Sequence, residues 1–160
     1  GVTAMHPEGC RIYPLLVIEG TKLADWYRKG CYTPLDLAET VRRCAYLYEG
    51  LTAAGIPVIR MGLQPDEDLR APGRILAGPF HPSFGELVHS YVWQKKIDAL
   101  IAEQKSGNYN MVITVPDRLS SIVRGQHRSN IRHWEASGRI KVQVEAGCQF
   151  EVTFHDQKMV

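Results

Sequence analysis

Three groups of residues in this 160-residue chain have types and spacings that can do chemistry. The first follows two apolar runs. Gly20 and Thr21 come directly after Ile12–Ile18, and Gly62 and Gln64 end or follow Val58–Leu63, which also contains Arg60. Glycine at the end of a strand lets a ligand approach the backbone closely, and Thr and Gln offer hydrogen-bonding side chains; the same glycines also serve as plain turn residues. Arg60, in an apolar strand, requires a partner if buried and is otherwise free to meet a substrate. The second is His81 in the segment AGPFHPSFGELV. It stands just before a helix start, where anions are favoured, so it reads either as a substrate contact or as an imidazole that braces its own loop. The third is basic: Arg118, Arg124, His127, Arg128, Arg132, His133 and Arg139, accompanied only by Asp117 and Glu135. Such a cluster around a glycine, Gly125, can hold phosphates or form a solvated face.

The elements that must position the first group read as strand, helix, helix, strand. Ile12–Ile18 is nearly all apolar, as expected of a strand covered on both faces in a parallel sheet. Thr21 caps a helix with Leu23, Trp26 and Tyr27 on one face, ended by Gly30. Thr33 and Pro34 open a second helix, in which Leu37, Val41, Cys44, Ala45, Tyr48 and Leu51 recur at helical spacing while Arg42 and Arg43 face away. Gly55 and Pro57 stop it before the strand Val58–Leu63. A strand–crossover–strand unit is right-handed and parallel, and its functional groups gather at the carboxyl ends of the strands.

Residues 65–82 read as a loop. Ser83 then starts a helix, with Glu86 completing a capping box, that runs to about Lys105, with His89 on its solvated side. From Asn110 the order is strand (Met111–Val115), short helix (Arg118–Val123), tight connection (Gly125–Arg128), helix (Ser129 to about Ala136) and two strands. The second of these strands, Phe150–His155, is expected beside the first, Ile140–Val144, as a hairpin. Trp134 shares a face with Ile131 and reads as core. Asn130 either caps the second helix or touches a ligand.

The ordered motifs Tyr13-Pro14-Leu15, the apolar run, Gly-Thr-x-Leu-Ala-x-Trp-Tyr-x-x-Gly and AGPFHPSFGELV, over about residues 8–90, resemble the end of a radical-SAM catalytic barrel. The match is to the branch like the elongator catalytic subunit and oxygen-independent coproporphyrinogen oxidase. The resemblance implies the last strands and helices of a partial (β/α) barrel, from a parent enzyme that uses a 4Fe–4S cluster and S-adenosylmethionine. The family's cluster loop, Cys-x-x-x-Cys-x-x-Cys, does not occur in this chain, so the chain is expected to bind no cofactor alone and to need the remainder of the barrel as partner. Gly20, Thr21, Gly62 and Gln64 would then face the cofactor, and Arg60 and His81 the substrate. Residues 110–155 resemble a KH domain, which implies contact with single-stranded RNA or tRNA through Arg124, Gly125, His127, Arg128 and Arg132. Arg128 stands where KH loops carry their second glycine.

The expected class is therefore α/β: a barrel end over 1–65, a loop and long helix over 66–107, and a small α+β domain, strand–helix–helix–strand–strand, over 108–160. A net charge of +2 makes no general case for a polyanion partner, so the local cluster must carry it. No window approaches a membrane span, and no secretory leader is visible, which gives the expectation of a cytoplasmic protein. Cys10, Cys31, Cys44 and Cys148 lack metal-ligand spacing and read as free, mostly buried thiols. The chain carries no signal for its oligomeric state.

Overall fold

The computed structural model describes residues 1–63, 69 and 71–157. By its internal contacts the chain divides into two compact units, Gly1–Val88 and His89–Val160.

Unit 1 opens with a 3-10 turn, Val2–Met5. Strand β1 is Cys10–Ile12 and β2 is Val17–Ile18. The sequence suggested one strand over 12–18, but Pro14, which has no N–H for a ladder, separates the two pieces. Helix α1 (Lys22–Arg28) starts where expected: the Ala24 N–H donates to Thr21 Oγ1 at 3.2 Å, and Thr21 Oγ1 donates to the Ile18 carbonyl at 2.7 Å. Its buried residue is Ala24, while Trp26 and Tyr27 are exposed, contrary to the expected inward face.

Helix α2 spans Leu37–Ala53. Asp36, rather than Thr33, caps it, with the Glu39 N–H donating to Asp36 Oδ1 at 2.7 Å. An Asp carboxylate outcompetes Thr at a cap because it also complements the helix dipole. Val41, Cys44 and Ala45 form the buried stripe. Arg42 and Arg43 stay outside, both bonded to Glu39. These two guanidinium hydrogen bonds, Arg43 first, hold the Glu39 carboxyl below its ordinary range.

Strand β3 (Val58–Met61) lies parallel to β1, pairing Arg11 with Arg60 and Ile12 with Met61. Strand β4 (Ile75–Ala77) lies antiparallel to β2. It falls inside the segment read as loop: three residues among prolines and glycines give too short a pattern to register as a strand, and β2 supplies the ladder that makes it one. Unit 1 thus contains two separate two-stranded sheets among the described residues.

Helix α3 (Phe84–Ala102) carries the chain across the division between the units. His89 on it is half-buried rather than solvated, and burial lowers its imidazole pKa.

Unit 2 continues with β5 (Tyr109–Val115), α4 (Asp117–Arg124), a 3-10 turn (Gln126–Arg128), α5 (Ser129–Glu135), β6 (Ile140–Ala146) and β7 (Glu151–Asp156). One three-stranded sheet results, in the order β6-β5-β7. β5 is parallel to β6 in unbroken register from Tyr109↔Ile140 to Val115↔Ala146, and antiparallel to β7. The expected β6–β7 hairpin does not form, because β5 lies between them. The connection crosses the end of β5, where the Gly147 N–H donates to the Val115 carbonyl at 2.9 Å. A Cβ at residue 147 would collide with the Thr114 methyl, so glycine lets the chain cross without moving that side chain. Ile97, Met111, Ile113, Val115, Val123, Ile131, Trp134 and Val144 make the core.

Of the thiols, only Cys44 is buried, and burial raises its pKa; Cys31 and Cys148 are exposed, not buried as expected. Among the described residues no helix is long and apolar enough to cross a membrane.

Candidate functional site

In unit 1 the carboxyl ends of the parallel strands β1 and β3 lead into Tyr13-Pro14 and Gly62-Leu63. These residues meet the AGPFHP loop, so that Pro14, Leu16, Gly62, Leu63, Pro79, Phe80, His81 and Phe84 line one small cavity of about 10 Å³. Gly62 has φ +78°, and a Cβ there would sit 2.6 Å from the Phe84 Cβ. Its first duty is thus to let the chain turn against α3, which favours the packing reading over ligand approach. His81 is half-buried, and its Nδ1 accepts the Ser83 N–H at 3.1 Å. That bond braces the loop, as one of the two sequence readings required.

The remaining unit 1 candidates do not join this cavity. Gly20 (φ +78°) and Thr21 form the exposed turn between β2 and α1, and Thr21's hydroxyl is already engaged in the cap. Gln64 lies outside the described residues. Arg60 is exposed, not buried, and sits in register with exposed Arg11. Neither guanidinium has a carboxylate partner among the described residues.

Sequence reasoning missed a broader feature of unit 1. Every exposed large apolar side chain among the described residues lies there, including Leu15 (58% exposed), Trp26, Tyr46 (77%), Leu47 and Ile59 (68%). An apolar groove of about 200 Å³ runs between Tyr13, Leu15, Leu35, Cys44 and Leu47. The signal lay in the sequence: Tyr46 and Leu47 extend the α2 apolar face past the stripe that one neighbour can cover.

In unit 2 Arg124, His127, Arg128 and Arg132 lie along the connection between α4 and α5. Gly125 has φ +74°, and a Cβ would collide with Ser129 Oγ and lie 3.0 Å from Asn130 Cγ. His127 (φ 51°) and Arg128 (φ 61°) are both left-handed, in succession. Asn130 is buried and holds this bend: its Nδ2 donates toward the Ser90 carbonyl (3.0 Å), Ser90 Oγ (3.1 Å) and the Val123 carbonyl (3.0 Å). It is an internal brace, neither cap nor ligand contact. Arg124 is half-buried and spends a guanidinium N–H on the Val144 carbonyl at 2.8 Å. His133 faces Asp98 at 3.1 Å, and Trp134 Nε1 donates to the same carboxylate at 3.0 Å. Trp134 is core, as the spacing of the helix required. His127, Arg128 and Arg132 are exposed, with no acidic partner for their side chains among the described residues.

Residues 7–94, more than half of the chain, match the model of the Radical_SAM C-terminal domain; the chain belongs to that family. The family implies a parent protein with a 4Fe–4S cluster and S-adenosylmethionine. Among the described residues no grouping of three His, Cys, Asp or Glu could hold a metal ion, and the four cysteines are not gathered, so these residues do not fit the cluster. No curated protein matches the chain, and neither does any solved structure.

Proposed function

We propose that this chain is the C-terminal part of a radical-SAM enzyme of the branch like the elongator catalytic subunit and oxygen-independent coproporphyrinogen oxidase. In this reading unit 1 closes a partial barrel, and unit 2 offers an RNA substrate, such as tRNA, to it. The observation that carries the proposal is a two-stranded parallel sheet in the unit that exposes the large apolar side chains. Two-stranded parallel sheets are not stable alone, since parallel strands are normally covered on both faces. Here β1 and β3 form such a pair in the unit that exposes Leu15, Tyr46 and Ile59. Further strands and helices of the same enzyme would cover those side chains, and a carboxylate there would answer the Arg11–Arg60 pair. In that arrangement Gly62, just after β3, serves the cofactor, and Arg60 within β3 and His81 serve the substrate; Gln64 is assigned to the cofactor on the family resemblance alone. Gly20 and Thr21 belong to the next turn along.

Support for the RNA role comes from unit 2. Its strand–helix–turn–helix–strand order, with β5 parallel to β6 and a bend beginning at Gly125, is compatible with a KH-like reading, in which the loop between the two helices meets a single strand. The exposed basic side chains of His127, Arg128 and Arg132 lie at or just after that bend. A scaffold or dimerisation domain without nucleic-acid binding is the second reading, and the Arg124–Val144 and His133–Asp98 contacts favour it, because they show basic residues used structurally.

The complete polypeptide, with its iron–sulfur cluster reconstituted, is expected to cleave S-adenosylmethionine reductively and to bind tRNA with strong salt dependence. Absence of cleavage removes the enzyme reading. Absence of RNA binding at low salt removes the RNA reading and leaves the scaffold.

A further inference from the structure

The sequence alone groups Arg139 with the basic residues of the α4–α5 connection, but the fold uses it elsewhere. Arg139 immediately precedes β6, and Lys105 follows the end of α3. Both line a cavity of about 270 Å³ that lies wholly in unit 2, at the amino-terminal ends of β5 and β6. No residue of the α4–α5 connection lines it. Its apolar lining comes from Ile101, Ala102 and Ile140, and no carboxylate side chain lines it among the described residues. The rim is braced by the fold. The Tyr109 N–H donates to the Arg139 carbonyl at 2.8 Å, and the Tyr109 hydroxyl donates to the Lys105 carbonyl at 2.8 Å. Gly107 leaves room for that hydroxyl, since a Cβ there would lie 3.0 Å from it. The carboxyl end of a helix attracts cations through its open carbonyls. Here the Leu100 carbonyl accepts from Gln104 Nε2 at 3.3 Å and the Ile101 carbonyl from the Gln104 N–H at 3.1 Å. With those carbonyls answered, the guanidinium and the ammonium give the cavity its positive sign.

We propose that this cavity binds a small organic dianion, a phosphate monoester with an apolar body. Its volume is close to the lower end of ligand pockets, about 300 Å³, which is the size class of a small molecule. Arg139 offers a planar fork of N–H donors to two phosphate oxygens, and Lys105 adds a second point charge. Two positive groups match a doubly charged head. Ile101, Ala102 and Ile140 give the body of the ligand a surface to cover, which inorganic phosphate has no means to use. Both cations are exposed, and neither side chain has an ion-pair partner among the described residues, so the fold itself makes no demand on their charge. The site shares no residue with the proposed RNA contact and does not depend on it.

The test is calorimetric titration of the complete polypeptide with phenyl phosphate, with inorganic phosphate and an oligouridylate lacking a terminal phosphate as comparison ligands. Phenyl phosphate is expected to bind saturably and at least about tenfold more tightly than inorganic phosphate, because its ring covers the apolar lining. Arg139→Gln and Lys105→Gln should each weaken it by about tenfold or more, as for the loss of a charge-assisted hydrogen bond. Both variants should melt with the unaltered protein, because surface substitutions of this kind change stability little. Absence of saturable binding, or binding that neither variant weakens, would overturn the proposal. Equal affinity for phenyl phosphate and inorganic phosphate would also overturn it, since the apolar lining would then contribute nothing. Displacement of phenyl phosphate by the oligouridylate would overturn it in favour of a nucleic-acid surface, whereas binding of both at once supports a separate small-molecule site.

Discussion

Ile59 and Ile113 are the same residue on strands of the same protein, yet Ile59 is 68% exposed and Ile113 is fully buried. The contrast extends to the units that hold them. Unit 2 closes one three-stranded sheet over a continuous core and leaves no large apolar side chain exposed among its described residues. Unit 1 has two small sheets, a groove and, among the described residues, every exposed large apolar side chain. A self-sufficient unit buries such groups. Under the proposed function the remainder of the parent enzyme covers this surface, since contiguous apolar patches mark interfaces.

The largest expected effect tests the completeness of unit 2. Ile113→Ala should cost about 2–5 kcal/mol by denaturant unfolding, the range for truncating a fully buried aliphatic side chain. Ile59→Ala should change the stability of the 160-residue chain by less than about 0.5 kcal/mol, as for other exposed positions. A similar cost for both would erase the contrast. Next comes Asn130→Ala, which removes the side-chain donor to the Val123 carbonyl at the end of α4 and to Ser90; a loss of about 1–3 kcal/mol is expected, because a buried group left unsatisfied keeps its full desolvation penalty. A smaller loss, about 1 kcal/mol, is expected for Asp36→Ala, which removes the α2 cap in unit 1.

The smallest effect concerns pH. Glu39 has a lowered pKa in the folded chain, through Arg43 and Arg42. Its contribution is therefore present above the unfolded glutamate value, about 4.3, and is lost as pH falls through the lower folded value. The pH dependence of unfolding below that point should be slightly shallower in Glu39→Gln. An unchanged profile would mean that these exposed pairs add nothing to unit 1.

Local pattern carried much of this fold. The α2 stripe of Val41, Cys44 and Ala45, the strand at Met111–Val115 and the tight connection from Gly125 were all legible, because each depends on neighbours within a few residues. What failed depended on distant partners. β4 exists because β2 pairs with it, and β7 lies beside β5 rather than β6 because Gly147 lets the chain cross over Thr114. The site followed the same rule. The basic cluster was visible as composition, but the use of Arg124 on Val144 and of Asn130 as a three-way brace needed the folded chain. The left-handed pair of His127 and Arg128 was half legible, since an arginine at the second-glycine position of a KH-like loop was already an exception.

Hydroxyl-radical footprinting of the complete polypeptide tests the central contrast most directly. If unit 1 is the covered end of a larger barrel, Leu15, Tyr46 and Ile59 will be protected from labelling, despite being 58%, 77% and 68% exposed in this chain. Labelling of those three at the rate of freely exposed side chains would contradict it, and unit 1 would then be a finished surface rather than half of an interface.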